Sequence, residues 1–227
     1  MPNKYSETIR EIYQIFEEHS NAENAVGMEN YMKNNFKFLG IKKPLREELS
    51  KSWIKKITLT QLDEIPLICK QLWEMYEREY QYVGIELLRK YISFAKVECI
   101  KEIEFFICNK SWWDTVDLLA TNICAEYFRI YPEKKMEYID KWNSSDNIWL
   151  NRSAILFQLK YKKKTDFELL KAIISTHNTS KEFFIQKAIG WSLREYTKTN
   201  REAVMEFIET YPIMPLSKRE ALKHLNY

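Results

Sequence analysis

Apolar residues recur three and four positions apart along most of this chain. Ile9, Ile12, Tyr13 and Phe16 form the i, i+3, i+4, i+7 stripe of an amphipathic helix. Val26, Met28, Tyr31 and Met32 predict a second helix that ends near Asn34. Residues 36–41 read as a compact connection, and Pro44 suits the first turn of the helix that follows. No segment alternates apolar and polar residues as a strand would, and no Asn-Gly or Asp-Gly hairpin signal occurs.

The helix starts repeat. Ser111 heads a Ser-Trp-Trp-Asp segment with Asp114 three residues on. Ser145 precedes a helix expected over 147–162, and Ser180 one over 181–198. Ser217 heads Ser-Lys-Arg-Glu, a capping box closed by Glu220. With earlier starts at Pro44 and Glu77, the intervals run 33, 34, 34, 35 and 37 residues. One shorter helix falls between consecutive starts, as over 132–142 and 167–176. Paired helices with a period in the mid-thirties mark an α-solenoid, whose pairs bury their apolar stripes by stacking on their neighbours. The expected fold is all-α: one domain over 1–227, built as an α-solenoid of HEAT-like antiparallel helix pairs with a concave face. An irregular helical bundle with even spacing is the alternative.

Composition supports helices and narrows the chemistry. The 227 residues include four glycines and six prolines, where average usage gives roughly 16 and 11. Gly27, Gly40, Gly84 and Gly190 stand apart, so no glycine-rich phosphate loop exists. Cys69, Cys99, Cys108 and Cys124 lack CxxC spacing and lie in apolar helical contexts, as small buried hydrophobes do. His19, His177 and His224 are dispersed, so no metal site is expected. No apolar signal core or membrane-length apolar run occurs, which predicts a soluble cytoplasmic protein without membrane attachment. Residues 1–110 carry 17 Lys+Arg and 17 Asp+Glu, whereas 146–227 carry 14 and 9. That local excess suits a polyanionic partner or an ordinary solvated surface.

Three helices hold the residues that can carry chemistry. Trp113 and Asp117 are i, i+4 and share one helix face. Arg152 lies in an otherwise apolar helix start, where it fits a phosphate contact or an ion pair with a neighbouring acid. Trp191 follows Gly190 in the third helix. Tryptophans at helical spacing are commonly core residues, and Asp114 suits a cap or dipole partner. Lys160 and Lys162 to Lys164 read as a solvated helix end. An aromatic face beside a carboxylate attracts cations, including a sugar that becomes oxocarbenium-like as an N-glycosidic bond breaks.

The chain resembles the AlkD family of bacterial DNA alkylation-repair glycosylases. The matching strings are residues 31–34, 38–41, 110–114 with Asp117, 145–150 with Arg152, 154–161, 180–191 and 216–221. The resemblance implies a HEAT-like-repeat enzyme whose concave face binds double-stranded DNA containing alkylated bases. It implies excision of N3-methyladenine and N7-methylguanine, with no cofactor, no metal and no lyase step, by a monomer associated with the nucleoid. Asp117 would be the catalytic carboxylate, with Trp113 and Trp191 as aromatic walls against the lesion's deoxyribose. Arg152 would engage the DNA backbone and Tyr31 would clamp the duplex. Lys42 replaces the family's usual glutamine and adds a phosphate-seeking charge. Lys187, Lys218 and Arg219, inside the matching strings, are further candidate DNA contacts. A non-catalytic paralogue that binds distorted or branched DNA is the alternative, and a helical-repeat scaffold is a third reading.

Overall fold

A computed structural model describes residues 6–57 and 59–223, which are helical almost throughout. Among the described residues no strand forms, and an isolated parallel bridge joins Lys37 and Glu77. The backbone divides into two compact units between Cys99 and Ile100. The first holds α1 (Glu7–Glu18), α2 (Ala22–Tyr31), α3 (Lys43–Lys56), α4 (Ile65–Glu74) and α5 (Arg78–Tyr91). The second begins with α6 (Ile100–Cys108), α7 (Trp113–Leu118), α8 (Ala125–Ile130), α9 (Pro132–Asn143) and α10 (Ile148–Leu156). It continues with α11 (Phe167–His177), α12 (Phe183–Thr197), α13 (Arg201–Thr210) and α14 (Pro215–Leu222).

The period is sharper than the capping residues suggested. The second helix of each pair starts at Lys43, Arg78, Trp113, Ile148 and Phe183, 35 residues apart each time, and the last at Pro215, 32 further on. The serines are not the caps. The Ser111 hydroxyl donates to the Ile107 carbonyl at 2.6 Å, and the N-cap of α7 is Trp112. Asn147 caps α10, its side chain accepting from the Trp149 N–H. The Ser145 and Ser180 hydroxyls accept from the N–H groups of Asn147 and Glu182, bracing the turns before the helices. Ser217 lies inside α14 and its hydroxyl donates to the Gln186 carbonyl at 3.1 Å. A serine satisfies turn backbone as readily as a helix start, so the sequence signals fell one to three residues away from the true starts.

Repeat position also carries repeat chemistry. Gln81 is the fourth residue of α5, and its amide donates to the Leu72 and Met75 carbonyls at the end of α4, at 3.2 and 3.0 Å. Asn151, fourth in α10, does the same for Trp142 and Ser145 at the end of α9, at 2.8 and 2.9 Å. These amides satisfy carbonyls that a helix end leaves open.

Each unit has its own core. In the first, Ile9, Ile12 and Phe16 of α1 are fully buried with Trp53, Leu72, Tyr80 and Val83. The Phe16 and Tyr80 rings stack at 5.5 Å, and the Trp53 indole donates to the Thr8 carbonyl at 2.9 Å. In the second, Phe106, Ile123, Tyr127, Trp142, Phe157, Ile174 and Leu193 are buried. Cys69 and Cys124 are buried as expected, but Cys99 is half-buried and Cys108, at the last residue of α6, is exposed. The helix expected over 147–162 stops at Leu156, and Gln158 braces the turn that follows. Its side chain brackets Asp166, accepting from the backbone N–H at 2.8 Å and donating to the carbonyl at 3.2 Å.

Gly190 marks a close approach of two helices in the second unit. A Cβ there would stand 2.4 Å from Glu220 Cβ and 2.7 Å from the Ser217 carbonyl on α14. Gly190→Ala gains about 1 kcal/mol of helix propensity and loses about 1–3 kcal/mol to overpacking. A net loss near 1 kcal/mol is expected, read as a lower melting temperature. A raised melting temperature, by the full propensity gain of about 1 kcal/mol, would show that α12 and α14 part without cost.

Candidate active site

Asp117 is the fifth residue of α7, and Arg152 is the fifth of α10. Helices at the same repeat phase place these side chains opposite each other, and they form a two-pronged ion pair. Arg152 Nε donates to Asp117 Oδ1 at 2.7 Å, and Nη2 donates to Oδ2 at 2.9 Å. Arg152 Nη1 donates to the Phe184 carbonyl on α12, whose ring centroid lies 5.9 Å from the guanidinium carbon. The side chains are 5% and 16% exposed. The carboxylate is therefore held in one plane in a largely dry setting, where a charge-assisted fork is both strong and directional.

Burial pushes the Asp117 carboxyl above the usual carboxylate range. The bonds and charge of Arg152 pull it back, and Asp114 adds to the rise. Burial is the larger effect. Asp117 thus combines the raised basicity of a desolvated carboxylate with a cationic partner that favours its charged form.

Trp113 opens α7, one turn before Asp117, and is half-buried. Trp191 lies in α12, also half-buried, directly after the close approach at Gly190. α10 packs against both α7 and α12, so the three helices that carry Trp113, Asp117, Arg152 and Trp191 form one group. Beside them is an aromatic cluster that the sequence reading missed. The Trp112 ring lies 5.7 Å from Trp149 and 5.0 Å from Phe184, and Trp149 lies 5.0 Å from Phe184. The signal was present, because Trp149 and Phe184 are 35 residues apart, the second residues of α10 and α12.

The remaining candidates are placed separately. Lys187, fifth in α12, pairs with Glu220 at 2.9 Å and is about one-third exposed. Glu220 also takes Arg194 at 3.2 Å. The Lys187 hydrogen bond holds the Glu220 carboxyl below its ordinary range. Lys218 and Arg219 are exposed on α14. Tyr31 and Lys42 belong to the first unit. Tyr31 is 69% exposed at the end of α2, just before Lys33 and Asn34, both of which adopt φ of 57°. Lys42 is exposed as the N-cap residue of α3. Among the described residues, no three His, Cys, Asp or Glu side chains cluster as metal ligands would, and no helix is long and apolar enough to cross a membrane. His224 lies outside the described residues.

Known proteins show the same architecture. The family described as DNA alkylation repair enzyme matches this chain over residues 12–225. A solved structure from Enterococcus faecalis, described as a "Predicted DNA alkylation repair enzyme", superposes with a TM-score of 0.83 at 35% identity. The match covers 91% of this chain and 97% of that one. No curated protein matches. The repeated helix pairs, the all-helical fold and the nearly full-length match converge on one assignment: the chain belongs to the DNA alkylation repair enzyme family.

Proposed function

We propose that the protein is a monofunctional DNA N-glycosylase that releases positively charged alkylated purines, N3-methyladenine and N7-methylguanine, from duplex DNA. The observation that carries this reading is the largely desolvated, half-buried Asp117 carboxylate, aligned by Arg152 one helical turn from Trp113. In the reaction the C1′–N bond breaks and its electron pair moves onto the purine, which leaves neutral because it began as a cation. The positive charge passes to the deoxyribose. Asp117 faces that charge and takes the proton from the water that adds to C1′, leaving an abasic site. The leaving group needs no general acid, so a site with one carboxylate and no histidine suffices. The reading calls for no cofactor and no lysine nucleophile.

Trp113 and Trp191 supply aromatic faces to the sugar as it becomes cationic. Arg152 acts first on Asp117. Three of its nitrogens are already engaged, and of its five N–H donors two are left for a backbone phosphate. Tyr31, Lys42, Lys187, Lys218 and Arg219 are proposed to contact the DNA backbone, Lys187 by exchanging Glu220 for a phosphate.

The test is release of free base from duplex DNA methylated at N7 of guanine and N3 of adenine. Release well above the spontaneous rate is expected, falling on the acid side as Asp117 becomes protonated. That acid limb should lie above the ordinary aspartate value of about 3.9, because burial raises Asp117. Release at the spontaneous rate, with duplex binding retained, would favour the non-catalytic DNA-binding alternative.

A further inference from the structure

The helix that carries Asp117 does not continue as α-helix. Leu119–Cys124, starting two residues after Asp117, forms a π-helical turn that leads into α8. Such turns are rare and recur at functional sites, and two side chains in this one bond back onto the carbonyls of Asp117 and its neighbour. Thr121 Oγ1 donates to the Asp117 carbonyl at 2.8 Å, and Asn122 Nδ2 donates to the Leu118 carbonyl at 2.8 Å. Asn122 Nδ2 also lies 3.3 Å from Thr121 Oγ1, and its Oδ1 accepts from Lys160 Nζ at 2.6 Å. Lys160 follows the end of α10, eight residues after Arg152. The chain segments that meet at Asp117 and Arg152 therefore meet a second time at Asn122 and Lys160.

We propose that Thr121 and Asn122 are positioning residues that hold the π turn so that the Asp117 carboxylate faces both Nε and Nη2 of Arg152. The two-pronged pair leaves little freedom, since a small rotation of the carboxylate plane breaks one of the two bonds. Once the Asp117 carbonyl is anchored, only two side-chain torsions separate the backbone from the carboxylate. Thr121 is buried, so water does not readily replace its hydroxyl. Lys160, which the sequence suggested was part of a solvated helix end, ties this turn to the segment after α10. The importance of the alignment for catalysis rests on the glycosylase reading, but the alignment itself does not.

Thr121→Val keeps the side-chain shape and removes the donor, and Thr121→Ser keeps the donor. Single-turnover release of N7-methylguanine is measured across pH, together with duplex affinity and the carbon-13 titration of the Asp117 carboxyl. In Thr121→Val, release is expected to slow about tenfold, a modest misalignment on the scale of positioning effects. Duplex affinity should hold, and both the acid limb and the Asp117 titration should move to higher pH as the Arg152 fork loosens. Thr121→Ser should restore all three. An unmoved Asp117 titration in Thr121→Val overturns the proposal whatever the rate does, as does an equal loss in the serine variant. Failure of the unaltered protein to release any base would instead overturn the glycosylase reading, with the Asp117 titration still judging the role of Thr121.

Discussion

Asp117→Asn is expected to cut base release by about 10²–10⁴-fold, the range that follows loss of a positioned general base, and to destabilise the protein as well. The second loss follows from the geometry. The new amide presents one oxygen to Arg152 and turns an N–H₂ towards the other guanidinium donor. Arg152 is 5% exposed, so its charge stays buried with half of its partner gone. Breaking one side of a buried pair costs about 3–5 kcal/mol, and the retained oxygen reduces that to about 2–3 kcal/mol. Activity must therefore be measured well below the variant's melting temperature. The double variant Asp117→Leu with Arg152→Met separates the two losses. Replacing a buried pair by apolar groups of similar volume is often neutral, so stability should recover while base release does not. Recovery of both would remove Asp117 from the chemistry. Recovery of neither would show that the pair is required for the fold.

The repeat was legible in the sequence because each helix pair needs an apolar stripe and a start signal, and both recur. Its phase was not. Serines at 111, 145 and 180 serve the turns before the helices, and the helices begin at Trp113, Ile148 and Phe183. Counted from the serines, Asp117 is six residues on and Arg152 seven, so the two do not line up. Counted from the true starts both are fifth, and opposite charges at one repeat position already specify the pair. The sequence left Arg152 open between a phosphate contact and an ion pair, and the ion pair is what the structure shows. The π turn after Asp117 was hidden for a different reason. Val116, Leu119, Ala120, Ile123 and Cys124 are all buried and fit an uninterrupted α-helical stripe, so apolar spacing alone does not reveal it. The side chains that mark the turn, Thr121 and Asn122, are common on ordinary helices.

Gly40→Ala is the stability counterpart of Asp117→Asn, with an expected loss of about 2–5 kcal/mol. Gly40 adopts φ of 84°, and a Cβ there would lie 2.0 Å from the Asn21 carbonyl oxygen and 2.7 Å from the Ala25 N. Two costs therefore add: about 1–2 kcal/mol for a left-handed alanine and about 1–3 kcal/mol for overpacking. Because the obstacles are backbone atoms at the start of α2, no side-chain rotation relieves them. Glu79 makes the position more sensitive still. Its buried carboxylate accepts from the N–H groups of Leu39, Gly40 and Ile41 at 3.1, 2.9 and 3.1 Å. Burial pushes this carboxyl above its ordinary range while the three donors pull it back, so displacing the loop would strand a buried acid among unpaired N–H groups. Gly27→Ala is the control, because a Cβ at that helical position meets nothing within 4 Å and should stabilise by up to about 1 kcal/mol. In urea unfolding the midpoint of Gly40→Ala should fall and that of Gly27→Ala should rise, with similar slopes. Equal midpoints for Gly40→Ala and the unaltered protein would mean that the α2 start yields freely. In that case the three-donor cradle around Glu79 would not be what fixes the connection into α3.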